Sequence, residues 1–357
     1  MEEQFLSPLE EIPFEELLNA LLDQDQVFDP INLNRLSDIN QEYLADLHQV
    51  WGEIHVERRR ALIEDLEQLT ESNHLLTFEP IFRLALKDED DQVRFFAIRA
   101  IEVFDTDDLI PFFLSVLDKE KNDDVRAVTA SVLGKYIYRG ELDKIDPEIK
   151  KNTEDKLLEI LNGDHPLEIQ QRALEAISYS SREEVKDHIL KAYQSEMEDW
   201  IASAVFAMGR SFDHQYSEMA FDKLQHTSPK VRLEAVRACG ELTVEDAVPT
   251  ILDLLDDLPD IRGAAIWALS QIGGEEAGPA IHGLLEDEVS DEETELIQQA
   301  LERLDFLEEG VNLALFDLPY SDQDDYDPEE YDFESDDFEL DGYELEDFDL
   351  DDDLWLE

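Results

Sequence analysis

One pattern of apolar and polar positions recurs along this chain. Its clearest copy is Val231-Arg232-Leu233-Glu234-Ala235-Val236-Arg237-Ala238-Cys239-Gly240. A branched apolar residue opens it, small residues follow at +4 and often +7, and Gly or Ser often closes it at +9. On a helix, positions 0, +4, +7 and +8 share one stripe, and small residues there let a second helix approach closely. Further copies begin at Val93, Val125, Ile169, Trp200 and Ile261, with a weaker one at Leu296. The spacing predicts a helix for each.

A second helical pattern precedes each copy from Phe78 onward. Four of these open on proline, at Pro80, Pro111, Pro249 and Pro279. Proline fits the first turn of a helix, where the N–H it lacks has no intrahelical partner. The copies are spaced 32, 44, 31, 31, 30 and 35 residues apart. Each unit therefore reads as helix, turn, helix, and such a period predicts a stacked array. The 44-residue step holds Gly140 to Pro147, expected as an insertion in one loop. Residues 1–77 lack the pattern but carry amphipathic runs, expected to cap the open end of the array. Within them the triplet Arg58-Arg59-Arg60 reads as a solvated basic face.

The Asp-x-x-Val-Arg opening, the alanines and the closing glycine resemble the HEAT-repeat family, in particular its short lyase-type repeats. The likeness is best over Asp90–Val103, Asp124–Gly134, Pro229–Gly240 and Pro259–Ser270. It weakens over Pro166–Ser178 and Asp199–Gly209, where Gln170 and Ile201 replace the arginine. The resemblance covers roughly residues 78–309. It implies an all-α chain, a right-handed α-solenoid of HEAT-like helix pairs with a helical N-terminal cap. The expected domains are a cap over 1–77, the array over 78–309 and a tail over 310–357. Such proteins are mostly scaffolds and adaptors, although some bilin lyases and DNA-base glycosylases share the fold.

Charge narrows the partners. The chain has 357 residues with 92 acidic and 28 basic side chains, a formal net charge of -64. Such a chain repels phosphate and anionic lipid, so no direct nucleic-acid or membrane binding is expected, and a protein with a basic surface is favoured. Residues 317–357 hold 21 acidic and no basic residues, leaving -43 on residues 1–316. Self-repulsion predicts an acidic, disordered C-terminus. Yet Tyr331, Phe338, Tyr343, Phe348 and Trp355 are set into it with interleaved leucines. Acidic and bulky apolar residues in alternation mark a segment able to bind.

Candidate chemistry is sparse. The one cysteine, Cys239, sits at a buried +8 position, and its solitude fits a reducing, cytoplasmic setting. The N-terminus lacks the basic and apolar regions of a signal peptide, and no apolar run is long enough to cross a bilayer. The eight histidines show no paired ligand spacing, so no metal or cofactor is expected. His188 and His282 remain possible bases without a nucleophile nearby. The run from Asp337 begins like a calcium loop, but its twelfth position is Phe348 where a Glu is wanted.

Arg94, Arg126, Arg232 and Arg262 share one station in four units. They form either a basic track or a ladder bonded to turn acids such as Asp90, Asp124 or Asp260. Positions +2 and +6 are expected to face the concave groove. There Phe95, Phe206, Leu233 and Trp267 stand with Arg99 and Arg237, the residue types of interface centres. These residues and the five tail aromatics are the candidate protein-binding set. The expected function is a non-enzymatic protein-binding scaffold. Its alternatives are a lyase-like enzyme acting on a bilin-type chromophore, or an acidic chaperone that sequesters basic nucleic-acid-binding proteins.

Overall fold

The computed structural model describes residues 13–286 and 289–315, with the side chains at 286 and from 307 onward left aside. The candidate tail residues Tyr331, Phe338, Tyr343, Phe348 and Trp355 lie outside them, as does the calcium-like run. The chain divides into two compact units, Met1–Glu309 and Gly310–Glu357. The described residues are helical, without a strand.

Three helices lead in: α1 (Phe14–Leu22), α2 (Gln41–Val50) and α3 (Val56–Ser72). Helix pairs follow. They are α4 (Glu79–Ala85) with α5 (Asp91–Ile101), α6 (Ile110–Lys119) with α7 (Asp123–Glu141), and α8 (Pro147–Asn162) with α9 (Leu167–Ile177). Next come α10 (Glu183–Tyr193) with α11 (Glu198–Arg210), α12 (Ser217–Asp222) with α13 (Pro229–Glu241), and α14 (Val248–Asp253) with α15 (Pro259–Ile272). The last pair is α16 (Ala277–Gly283) and α17 (Asp291–Leu315). Pro80, Pro111 and Pro249 do stand in the first turns of α4, α6 and α14. Side-chain caps start several second helices: Asp90 accepts from Val93 N, and Asn122 from Asp124 N and Val125 N.

α3 and the second helices stack on one another in sequence, from α3 through α5, α7, α9, α11 and α13 to α15, and each from α5 on packs on its own first helix. This is an α-solenoid of helix pairs. The closing glycines explain how closely that row packs. A Cβ on Gly134 would stand 3.1 Å from Ala176 Cα, one on Gly209 2.8 Å from Ala238 Cα, and one on Gly240 3.0 Å from Ala268 Cα. The +9 glycine of one helix thus meets the +7 alanine of the next.

The buried stripe is wider than the pattern suggests. Position +5 joins it in every clear copy, at Ile98, Ala130, Leu174, Val205, Val236 and Ile266. A second helix is flanked by its own first helix and by second helices on both sides, so more than four positions are enclosed. The long repeat step is not a loop insertion: it extends α7 to 19 residues and α8 to 16, joined by a short turn.

The basic triplet is not a solvated face. Arg59 is only 3% exposed and pairs with the equally enclosed Asp88, Nε to Oδ2 2.9 Å. Trp51 Nε1 donates to the same carboxylate at 2.6 Å. Arg60 bonds Asp90 at 2.6 Å, and Arg58 donates to the carbonyls of Asp23 and Gln26. The triplet ties α3 back to the loop after α1 and forward to the turn before α5.

Candidate protein-binding face

The ladder arginines are built from the turns upward. Arg94 bonds Glu120 at 2.8 Å and Asp88 O at 2.8 Å. Arg232 holds both oxygens of Asp257, at 2.8 and 2.9 Å, and donates to His226 O. Arg262 pairs with Glu293 at 2.7 Å, and Arg126 with Asp123 and the ring of His165. These four arginines are neutralised, so they form no basic track. Their partners differ from the expected acids Asp90, Asp124 and Asp260. Asp90 caps α5 and takes Arg60, while Asp124 and Asp260 line clefts. In Arg94 and Arg232 the guanidinium, on the first turn of a second helix, reaches its own turn's carbonyl and the acid in the following unit. Arg262 reaches the following acid alone, and Arg126 takes an acid of its own turn. The Asp90 carboxylate is held below the usual range by the Arg60 hydrogen bond, and Asp257 by Arg232.

On the remaining face, positions +6 and +10 come outward, and position +3 does so except at the enclosed Ser203 and Ala264. Position +2 only partly does: Phe95 and Leu233 are half-buried, but Ala127, Gln171 and Ala202 are enclosed. The expectation for +2 therefore fails in the middle units, where neighbouring second helices cover it.

The face carries two apolar centres. Near α5, Phe95 and Phe96 meet edge to face at 5.7 Å. The Arg99 guanidinium lies 5.4 and 5.3 Å from their ring centroids while binding both oxygens of the buried Glu67. A cleft of ≈ 590 Å³ opens beside them, lined also by Asp124, Val128 and Arg172. Farther along, Leu233, Arg237 and Trp267 line a second cleft of ≈ 760 Å³ with Arg210 and Glu241. Phe206 adjoins this group through Arg210, whose guanidinium lies 5.3 Å from its ring.

Between the centres runs a set of groups that the pattern alone did not disclose. Arg172 pairs with Glu175 at 2.9 Å, Arg237 with Glu234 at 3.1 Å, and Arg210 with Glu241 at 3.2 Å. Ser203 donates to Glu175 at 2.7 Å. Burial pushes the carboxyls of Glu102, Glu175, Glu234 and Glu241 above the usual range despite these arginines, and raises the Tyr179 hydroxyl as well. Glu234 Oε2 is enclosed without a hydrogen bond. The +3, +6 and +10 stations of α9, α11 and α13 would have located this set, but only once those helices are known to stand side by side.

Other candidates are placed plainly. Cys239 is fully buried, and desolvation pushes its thiol up to about 12, far from a reactive thiolate. Among the described residues no cluster of His, Cys, Asp and Glu is disposed to hold a metal. No described helix is long and apolar enough to cross a membrane.

A family model for HEAT repeats matches residues 54–145 and 217–302. No curated protein matches the sequence. Among solved structures, the Escherichia coli protein YibA is 14% identical, covering 79% of this chain and 98% of its own, with a TM-score of 0.41. The CpcE–CpcF complex of phycocyanin lyase from a Nostoc species is 17% identical, covering 64% and 95%, with a TM-score of 0.43. Yeast importin-β (Kap95p) is 13% identical, covering 82% of this chain and 46% of its own, with a TM-score of 0.45.

Proposed function

This chain is a HEAT-repeat protein, and we propose that it is a non-enzymatic scaffold that grips a protein partner along the outward face of its second helices. One observation carries the reading. Phe95 with Phe96, and Leu233 with Trp267, stand half-exposed at two clefts, each beside an arginine at least 46% exposed. Half-buried aromatics beside arginines make contacts that an interface centre needs. The acidic surroundings favour a partner with a basic surface, since opposite charge speeds encounter while aromatic burial sets the lifetime. The acidic segment 310–357 supplies a second surface in this reading, with Tyr331, Phe338, Tyr343, Phe348 and Trp355 as anchors. A cytoplasmic setting belongs to the same proposal.

The test is affinity capture of lysine- and arginine-rich proteins by the full chain, by residues 1–316, and by Phe95→Ala and Trp267→Ala variants. Capture is expected to fall in all three altered forms. Unchanged capture in both aromatic variants overturns the reading of the face, and unchanged capture by residues 1–316 overturns that of the tail.

A second reading, an enzyme acting on a bilin-type chromophore, gains support from the Glu175, Glu234 and Glu241 carboxyls beside Phe206 and Trp267. Each of those carboxylates already faces an arginine, which favours a structural role. Pigment transfer or release by the purified chain, lost in Glu175→Gln, would favour the enzyme.

A further inference from the structure

The arginine rung is broken once in a way that leaves space. At the +1 station of α9 stands Gln170, whose amide donates to Gly163 O at 2.9 Å and Ile160 O at 3.4 Å. It thus makes the carbonyl contacts of the rung but lacks the length to reach the turn between α10 and α11. The next opening position, filled in the other clear copies by a valine or isoleucine no more than 1% exposed, holds the half-buried Trp200. A cleft of ≈ 570 Å³ lies there, within the size range of small-molecule sites.

Its lining separates it from the rest of the molecule. Asn162, Gln170, His188, Lys191, Ser195 and Trp200 line it over a floor of leucine and alanine, with no carboxylate among them. About one residue in four of this chain is acidic, and the two clefts on the second-helix face both include acids. Lys191 forms no ion pair among the described residues. The Ser195 hydroxyl oxygen accepts from Met197 N, leaving its own proton to donate. Asn162 commits one amide hydrogen to Leu158 O and keeps the other. Burial, then the nearby Lys191 charge, lower the His188 pKa, so its ring is neutral at pH 7.

We infer that this cleft binds a small molecule with a planar apolar body and a carboxylate, the body against Trp200 and the carboxylate met by Lys191, Ser195 and Asn162. The net charge of -64 opposes a bare anion, so the apolar body must supply part of the affinity. A ligand of this kind takes the place that an arginine and its acid occupy at Arg94–Glu120, Arg232–Asp257 and Arg262–Glu293.

The experiment is calorimetric titration of the full chain with 2-naphthoate and, in parallel, with uncharged 2-naphthylmethanol. The wild type is expected to bind 2-naphthoate more tightly. Lys191→Glu is expected to weaken 2-naphthoate at least about tenfold and leave 2-naphthylmethanol within about twofold, because it reverses the charge that the carboxylate meets and the alcohol carries none. Gln170→Arg restores the rung and is expected to abolish binding of both probes while raising the melting temperature. Circular dichroism confirms that each variant is folded. Equal affinity for the two probes, an unchanged 2-naphthoate affinity in Lys191→Glu, or undiminished binding in folded Gln170→Arg each overturns the inference.

Discussion

At the rung joining α3 to the α5 unit, Arg59 and Asp88 are 3% and 6% exposed and share a carboxylate with Trp51. At the rung joining α9 to the α11 unit, Gln170 reaches only its own turn. Both rungs hold second helices side by side. The first does so with a desolvated charge pair, the second with the Ser203–Glu175 hydrogen bond and packing. The difference shows that the array does not need an ion pair at every joint. Small residues in the stripe carry the stacking, and the arginine fixes a turn to it. At Gln170, where the arginine is absent, stacking persists and space appears.

Four substitutions break or sharpen that contrast. Arg59→Ala has the largest expected effect, a loss of about 3–5 kcal/mol in urea unfolding, because it strands the buried Asp88 charge. Gly240→Ala follows, at about 1–3 kcal/mol, since the added methyl would meet Trp267 Cζ3 at 2.6 Å and the backbone of Ala268. Arg232→Ala is expected to cost about 1.5 kcal/mol and Gln170→Ala under about 0.5, measured in the same denaturant series. Equal costs for these two would mean that the rung arginine adds nothing beyond its carbonyl contact.

Glu234→Gln differs from these four in being an expected gain, and that gain depends on pH. Burial raises the folded carboxyl above its unfolded pKa, so the folded state holds the proton more tightly. That contribution is fully present below the unfolded value and is lost as pH rises through the raised pKa. The variant should therefore gain about 1 kcal/mol at pH 7 and nothing at pH 4, read from melting temperatures. A gain of equal size at both pH values would show that the charge is not the cause.

Much of the fold was legible because its determinants are local. Proline in the first turn, Ala at +4 and Gly at +9 act within one helix or against the nearest one, and they repeat. The partners of the arginines were not legible. Arg232 meets Asp257, 25 residues on, and nothing in a single unit distinguishes that acid from Asp260. The two apolar centres were half-visible: Phe95 and Trp267 stand out in the pattern, whereas Phe96, Arg172 and Arg210 join them only across helices. Glu175, Glu234 and Glu241 were hidden among 92 acids, because only enclosure sets them apart.

Each rung arginine that meets an acid in the following unit gives the molecule a direction. Through such a rung a unit offers a plug to its successor and a socket to its predecessor. At those joints a unit can be excised, copied or exchanged between such chains with the match kept. The seams at Arg126, Gln170 and Ile201 are where that interchangeability ends, because a unit grafted behind any of them would find no such plug to receive.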